Sequence, residues 1–229
     1  MIDWWARFVP QESLFVAYGG TWQHYRELNG LRAFYVDDAR LRTRDHARER
    51  QSYTGVFRAS AEQLSKGVFS HAAFFEFDHV PIIPDLLERL SGRLEQSSAD
   101  VLCYCLRRID RTISPHYLSH AHDSRFHNVW RRMSVRQDKE AILSFFPSGS
   151  LWRIEAFDAV AHTEEKYPIY LEIYLPTLAH HLGFRLTDMG DQNRFIRALP
   201  TKRFSLAFAQ QGGAWTIHPL KDFWDKALA

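Results

Sequence analysis

The amino-acid sequence predicts an α/β fold: a mostly parallel central sheet flanked by helices on both faces. Short apolar runs that end in glycine or aspartate alternate with longer amphipathic segments, as in strands joined by helical crossovers. The composition is 45% hydrophobic and 14% aromatic over 229 residues, which supplies the apolar surface that a sizeable core needs. No internal repeat or linker interrupts the chain, so we expect a single domain over residues 1–229.

Apolar runs bounded by turn residues predict the strands of the first half. They span residues 13–18, 32–36, 69–77 and 100–106. Residues 45–66 predict a helix between the second and third runs. Another helix begins at Pro84-Asp85, because proline and aspartate favour a first turn. Its apolar stripe comprises Leu86, Leu87, Leu90 and Leu94.

The second half of the sequence is less regular. Residues 107–139 are polar and rich in histidine and arginine, which predicts a long excursion with one or two helices that serves as a functional loop or lid. Its histidines lack zinc-site spacing and cysteine partners, so we interpret it as a mobile basic loop. Further along we expect a strand at 141–146, a turn at 147–150, helices at 151–161 and 170–182, and short strands at 184–188 and 195–199.

Charge and cysteine content restrict the class of protein. The net charge of +2 results from 29 basic and 27 acidic residues, which argues against nucleic acid as a partner. Cys103 and Cys105 are two positions apart, a spacing that rarely suits a disulfide, so we expect reduced thiols and a cytoplasmic location. No apolar run reaches the roughly 18 residues of a membrane-spanning helix, and the first residues lack the order of a signal peptide.

The sharpest feature is the pair of carboxylates in Glu76-Phe77-Asp78, which follows an apolar run. Side chains two positions apart on an extended chain share a face. In open α/β sheets, ligands bind beyond the carboxyl ends of the strands. Two carboxylates there favour a divalent ion such as Mg²⁺ or Mn²⁺, which commonly bridges to phosphates. The alternative is a strand end that surfaces into solvent.

The order of these features resembles that of GT-A glycosyltransferases, the nucleotide-diphospho-sugar transferase superfamily. In that fold a first strand opens the nucleotide pocket, a second ends in an acidic residue near the base, and a later one ends in a D-x-D-type motif. The matching segments here are 15–21, 34–38 and 75–78. Glu76 replaces the first aspartate of the motif. The resemblance therefore makes Asp78 the expected metal ligand, with Glu76 as a further ligand or a ribose partner, and a metal-independent variant stays open.

Two later segments fit the same resemblance. Residues 217–221 resemble the C-terminal histidine-containing segment that supplies a late metal ligand, which implies His218 as a ligand and Lys221 as a phosphate contact. Glu172 resembles the acidic residue that opens a helix and acts as the catalytic base in inverting members, alongside Asp78 as the other catalytic residue. Alternatively, His218 is a turn residue before proline, and Lys221 and Glu172 are solvated.

The nucleotide-sugar pocket implied by the resemblance uses small, aromatic and charged residues near the first two strands. A glycine pair lets the backbone approach a ribose or base, and a tyrosine stacks on it. A carboxylate and an arginine bind the ribose and the diphosphate. The alternatives are a tight turn and a solvated loop. The expected contacts are Tyr18, Gly19, Gly20, Asp38, Arg40, Gln51, Glu76 and Lys221. Ser148-Gly149-Ser150 is predicted to form a turn of small residues. This turn either contacts the donor or acceptor sugar or marks the start of a helix.

The resemblance implies a transferase that moves a sugar from a nucleotide-diphosphate donor to a hydroxyl of a glycan or lipid-linked acceptor, with inversion and Mn²⁺ or Mg²⁺. Residues 1–106 are then the nucleotide-binding half and 107–229 the acceptor-side half. The implied setting is bacterial polysaccharide biosynthesis, in the cytoplasm or at the inner membrane surface, and a homo-oligomer stays open. One alternative is a non-catalytic partner-binding domain. Another is a sugar nucleotidyltransferase, although Trp22, Gln23 and His24 stand where its basic loop belongs.

Overall fold

The computed structural model describes residues 2–28, 32–43, 53–163, 169–196 and 206–220, which form a mixed α/β structure. Its strands are β1 (Val16–Tyr18), β2 (Ala33–Tyr35), β3 (His71–Phe74), β4 (Val80–Pro81), β5 (Val101–Arg108), β6 (Leu143–Arg153), β7 (Leu186–Asp188) and β8 (Thr216–Ile217). Its α-helices are α1 (Ile2–Trp5), α2 (Trp22–Tyr25), α3 (Tyr53–Leu64), α4 (Leu86–Ser97), α5 (Pro115–Ala121), α6 (Ser124–Met133), α7 (Ile154–Ala161), α8 (Leu171–His181) and α9 (Leu206–Gln211). Short 3-10 turns lie at Gln11–Ser13, Ala39–Arg42 and Gly190–Phe195.

The central sheet is mixed, with the strand order β3-β6-β5-β7. β6 runs antiparallel to both of its neighbours, and β5 and β7 are parallel. The prediction of a mostly parallel central sheet is therefore not met. Strands buried on both faces are continuous apolar runs, and such runs do not reveal the direction of the neighbouring strand. β1 and β2 do form a parallel pair, as a separate two-stranded sheet.

Two apolar layers cover the central sheet. Alternate residues of β5 face opposite sides, so Cys103 packs in the layer that contains α6, α7 and α8, whereas Tyr104 packs in the layer that contains α4. The leucine stripe predicted for α4 is confirmed at Leu86, Leu90 and Leu94, each fully buried.

The segment 107–139 forms α5 and α6, so the prediction of one or two helices there is confirmed. Its interpretation as a mobile loop is wrong, because Phe126 and Trp130 of α6 are fully buried in the core. The sequence hides this, since the apolar residues of α6 are few and stand among arginines and histidines. α6 is amphipathic, and its basic side chains cover only the outer face.

β6 continues through residues 147–150, where the sequence predicts a turn, and takes up the first residues of the helix predicted at 151–161. Phe146 pairs with Tyr104 of β5, and Leu151 pairs with Leu102. Two steps along β5 therefore correspond to five along β6, which leaves residues 147–150 as a large bulge. The bulge directs Ser148 toward the chain that follows β3, as described below.

Candidate metal site

The candidate metal site forms where β3 ends and the chain turns into β4. Residues 76–79 form a turn in which the His79 amide donates to the Glu76 carbonyl over 3.1 Å. β4 then pairs antiparallel with β8, with Val80 opposite Ile217. The same register, continued by one residue, places His218 beside the turn. The short strands β4 and β8 thus bring together residues that are far apart in the sequence.

The three predicted metal ligands meet at this point. His218 Nε2 lies 3.3 Å from Asp78 Oδ1 and 3.7 Å from Glu76 Oε2. One ligand atom from each residue lies within 4.8 Å of the other two. Ligands about 2.1 Å from a shared octahedral ion are separated by roughly 3.0 Å when adjacent and 4.2 Å when opposite. Both distances fall in this interval, so the spacing of these donors is compatible with a shared metal ion.

Burial differs among the three ligands in a way that suits a cation with one open side. Asp78 and His218 are buried, whereas the Glu76 side chain keeps 33% of its surface exposed. A buried carboxylate next to a second one is costly unless a cation or hydrogen bonds compensate it, so a bound cation would stabilise this arrangement. The exposed side at Glu76 leaves room for water or phosphate oxygens as further ligands.

A buried histidine lies directly beneath the three ligands. The His79 ring is fully buried and its centroid is 5.5 Å from that of His218. Burial, and then the nearby His218, lower the pKa of His79 well below the usual value for histidine. The imidazole is therefore neutral and adds no positive charge that would oppose a cation.

The residues predicted to contact the nucleotide form a second group, at the carboxyl ends of β1 and β2. Tyr18 folds back over Gly20, where a Cβ atom would lie 2.3 Å from the Tyr18 hydroxyl. A Cβ atom on Gly19 would lie 2.5 Å from the side chain of Leu41. The glycine pair thus allows close packing of these side chains within the loop, which agrees with a tight turn. Gln51 and Lys221 lie outside the described residues.

Asp38 and Arg40 are paired with each other. Arg40 Nη2 donates to Asp38 Oδ2 over 2.6 Å and Nε donates to Oδ1 over 2.8 Å. Hydrogen bonding by Arg40 lowers the pKa of Asp38 below its usual value. Arg42, which ends the charged segment 37–42 of the expected nucleotide pocket, donates to the carbonyls of Gly19 and Gly20. The spacing of charges in the sequence did not predict this contact.

The predicted base, Glu172, is placed away from the three residues of the candidate metal site. Glu172 is in the first turn of α8, which packs in the same layer as Phe145. His218 contacts the adjacent Phe146, with ring centroids 4.5 Å apart, on the opposite face of the sheet. The role of Glu172 as a base therefore stays a prediction from the sequence. Ser148 is fully buried, so its predicted contact with a sugar is wrong.

Three arginines of residues 107–139 line an open cleft of about 560 Å³: Arg108, Arg111 and Arg131. Carboxylates match them there, since Arg108 pairs with Asp110 and Asp138, Arg111 lies 4.0 Å from Asp110, and Arg131 pairs with Glu140. Because the acids in the same cleft neutralise these cations, the cleft lacks the unopposed positive charge of a phosphate site. We therefore take Glu76, Asp78 and His218, which could hold a metal ion, as the candidate site.

Comparison with models of known protein families finds no match, and comparison with curated proteins finds no significant similarity. Within the described residues, none of the helices combines the length and the hydropathy needed to cross a membrane. A mixed α/β architecture hosts many unrelated activities. The function must therefore be inferred from the site itself.

Proposed function

We propose that this chain is a glycosyltransferase that moves a sugar from a nucleotide-diphosphate donor to a hydroxyl acceptor, assisted by Mn²⁺ or Mg²⁺ at Glu76, Asp78 and His218. The observation that carries the proposal is the approach of His218 to the acid pair, 3.3 Å from Asp78 and 3.7 Å from Glu76. These residues are separated by about 140 positions of sequence. The pairing of β4 with β8 and the hydrogen bond from the Leu220 amide to the Asp78 carbonyl bring them together.

The geometry of β1 and β2 supports the donor part of the proposal. The two strands are parallel, so their carboxyl ends lie at the same edge. Gly19 follows one strand end and Asp38 follows the other after a short loop. Ligands of open α/β sheets bind at such edges. The GT-A resemblance assigns this edge to the donor, with Asp38 for the base or ribose and Arg40 for the diphosphate. Binding in this way would replace the ion pair that the two residues form with each other.

The three ligands have different parts in the proposed site. Asp78 offers a buried carboxylate, where charge interactions are stronger than in water. His218 offers Nε2 as a neutral nitrogen ligand. The Glu76 side chain is partly exposed, so it would orient the ligand that binds from the solvent. A divalent cation held there would neutralise the diphosphate as the sugar–phosphate bond breaks.

The remaining parts of the proposal rest on the resemblance. A carboxylate takes the proton of the acceptor hydroxyl, which leads to inversion at the anomeric carbon. Glu172 is the residue that the resemblance nominates for this role. The acceptor is a glycan or a lipid-linked glycan, and the reaction belongs to the cytoplasm or the inner membrane surface.

Titration calorimetry tests the metal site and the nucleotide site separately. Wild-type protein is titrated first with MnCl₂ alone, and then with uridine or guanosine diphosphate in the presence of MnCl₂. We expect Asp78→Asn to lose Mn²⁺ binding and metal-dependent nucleotide binding, because it removes a charged ligand and keeps the shape of the side chain. The matched control is Asp85→Asn, a partly exposed carboxylate whose partner is Arg89.

Each outcome of the titration supports a different interpretation of the site. Unchanged Mn²⁺ affinity in Asp78→Asn would exclude the proposed ligand set. Nucleotide binding without any Mn²⁺ effect would indicate the metal-independent variant. Failure of the wild type to bind Mn²⁺ or either nucleotide would favour the non-catalytic partner-binding domain.

A further inference from the structure

A chain of buried hydrogen bonds runs beneath the candidate metal site. His79 Nδ1 lies 3.0 Å from Ser148 Oγ, and His79 Nε2 lies 2.7 Å from Thr216 Oγ1. The Tyr104 hydroxyl lies 2.7 Å from the same threonine oxygen. All four side chains are 0–1% exposed. The chain therefore joins β5, β6 and β8 to the turn that carries Glu76 and Asp78.

The Ser148 hydroxyl holds both ends of that turn. The Glu76 amide donates to Ser148 Oγ over 2.8 Å, at the start of the turn. The His79 side chain contacts the same oxygen from the end of the turn. A neutral imidazole has one donor and one acceptor nitrogen, so the chain can run in either direction. In both directions Ser148 Oγ retains a lone pair for the Glu76 amide.

The backbone of β6 is shaped to bring Ser148 to this position. Gly149 has a φ of +86°, and a Cβ atom there would lie 2.4 Å from His79 Cε1 and 2.6 Å from Tyr104 Cε2. The bulge at residues 147–150 thus depends on glycine, both for its conformation and for the close approach of two buried rings. The segment that the sequence presents as a turn is a support for the loop of the two carboxylates.

We propose that Ser148 is a positioning residue for the candidate metal site. Its hydroxyl fixes the turn at residues 76–79 and so presents the two carboxylates to His218 in one arrangement. The inference rests on the proposed metal function. Metal ligands bind tightly when a second layer of hydrogen bonds orients them, and loss of such a partner typically weakens metal affinity by about 10- to 100-fold.

A pair of serine variants tests this inference. Ser148→Ala removes the hydroxyl that holds the turn. Ser150→Ala is the matched control, since Ser150 is equally buried and lies two residues away. Its hydroxyl donates to the Pro147 carbonyl and accepts from the Trp152 indole, without contact to the turn. We expect Mn²⁺ dissociation constants to rise by about 10- to 100-fold in Ser148→Ala and by less than about 3-fold in Ser150→Ala.

Calorimetry with MnCl₂ and hydrogen exchange at the Glu76 amide give two independent readouts. Faster exchange of that amide in Ser148→Ala alone, with the expected loss of affinity, supports the positioning role. Equal Mn²⁺ affinity in both serine variants overturns it, even if Asp78→Asn abolishes binding and the metal site itself stands. Wild-type protein without Mn²⁺ binding overturns both proposals. If Ser148→Ala does not fold, Ser148→Cys and Ser150→Cys replace the pair, because a thiol keeps the shape and accepts hydrogen bonds only weakly.

Discussion

Substitution of Gly149 by alanine tests the packing beneath the candidate site. The new methyl group would lie 2.4 Å from His79 Cε1 and 2.6 Å from Tyr104 Cε2, whereas carbon atoms normally approach to about 3.5–4.0 Å. Both rings are buried and hydrogen bonded, so neither can turn away freely. Overpacking of this kind costs about 1–3 kcal/mol, and a left-handed φ costs a non-glycine residue about 1–2 kcal/mol more. We therefore expect a loss of about 2–5 kcal/mol in the free energy of unfolding.

Urea denaturation followed by tryptophan fluorescence measures this loss against Gly92→Ala. Gly92 lies within α4, and a Cβ atom there would meet no atom within 4 Å. Alanine is the better helix former, so we expect Gly92→Ala to gain about 0.5–1 kcal/mol. A Gly149→Ala variant as stable as the wild type would refute both the bulge in β6 and the contact of Gly149 with the two rings.

Two further predictions concern the core. Leu90→Ala should reduce the free energy of unfolding by about 2–5 kcal/mol in urea, because Leu90 is fully buried, whereas the fully exposed Val68→Ala should change it by less than about 0.5 kcal/mol. Burial lowers the pKa of His181 to about 4, so the unfolded chain binds a proton that the folded one does not as pH falls from about 6.5. The free energy of unfolding should therefore decline as the pH falls from about 6.5 to 4. Urea midpoints over this range should decline less in His181→Gln than in the wild type. Equal pH dependence in the two proteins would contradict the lowered pKa of His181.

The central elements could be predicted from local patterns, whereas the directions of the strands could not. The leucine stripe of α4 follows from periodicity, and apolar content predicts a strand at residues 100–106, which the structure has at residues 101–108. Periodicity does not show whether β6 runs antiparallel or parallel to β5. The two-residue strands β4 and β8 are too short to have a periodic pattern. They nevertheless create the candidate site, because their pairing places His218 beside Asp78.

The bulge at residues 147–150 shows why local turn chemistry was misleading. Proline, glycine and serine in succession normally indicate a reversal of the chain. Here the positive φ of Gly149 serves a bulge within a continuous strand. The rings of His79 and Tyr104, which come from distant parts of the sequence, pack against Gly149 and favour the bulge over a chain reversal. Tertiary packing therefore determined the local conformation, and it also buried the serine that the sequence offered as a sugar contact.

The energetics of the site favour a functional role for the acid pair over a purely structural one. A buried ion pair is often no more stabilising than apolar residues of the same volume, since desolvation offsets the attraction between the charges. Asp78 is buried close to a second carboxylate, Glu76, so desolvation and the repulsion between the two carboxylates both cost stability here. A bound cation changes that balance, because it interacts with both carboxylates at once and stabilises only the folded state. Thermal unfolding with and without MnCl₂ should therefore show a larger metal-induced shift in wild type than in His218→Gln, and identical shifts would indicate that the charges serve the fold alone.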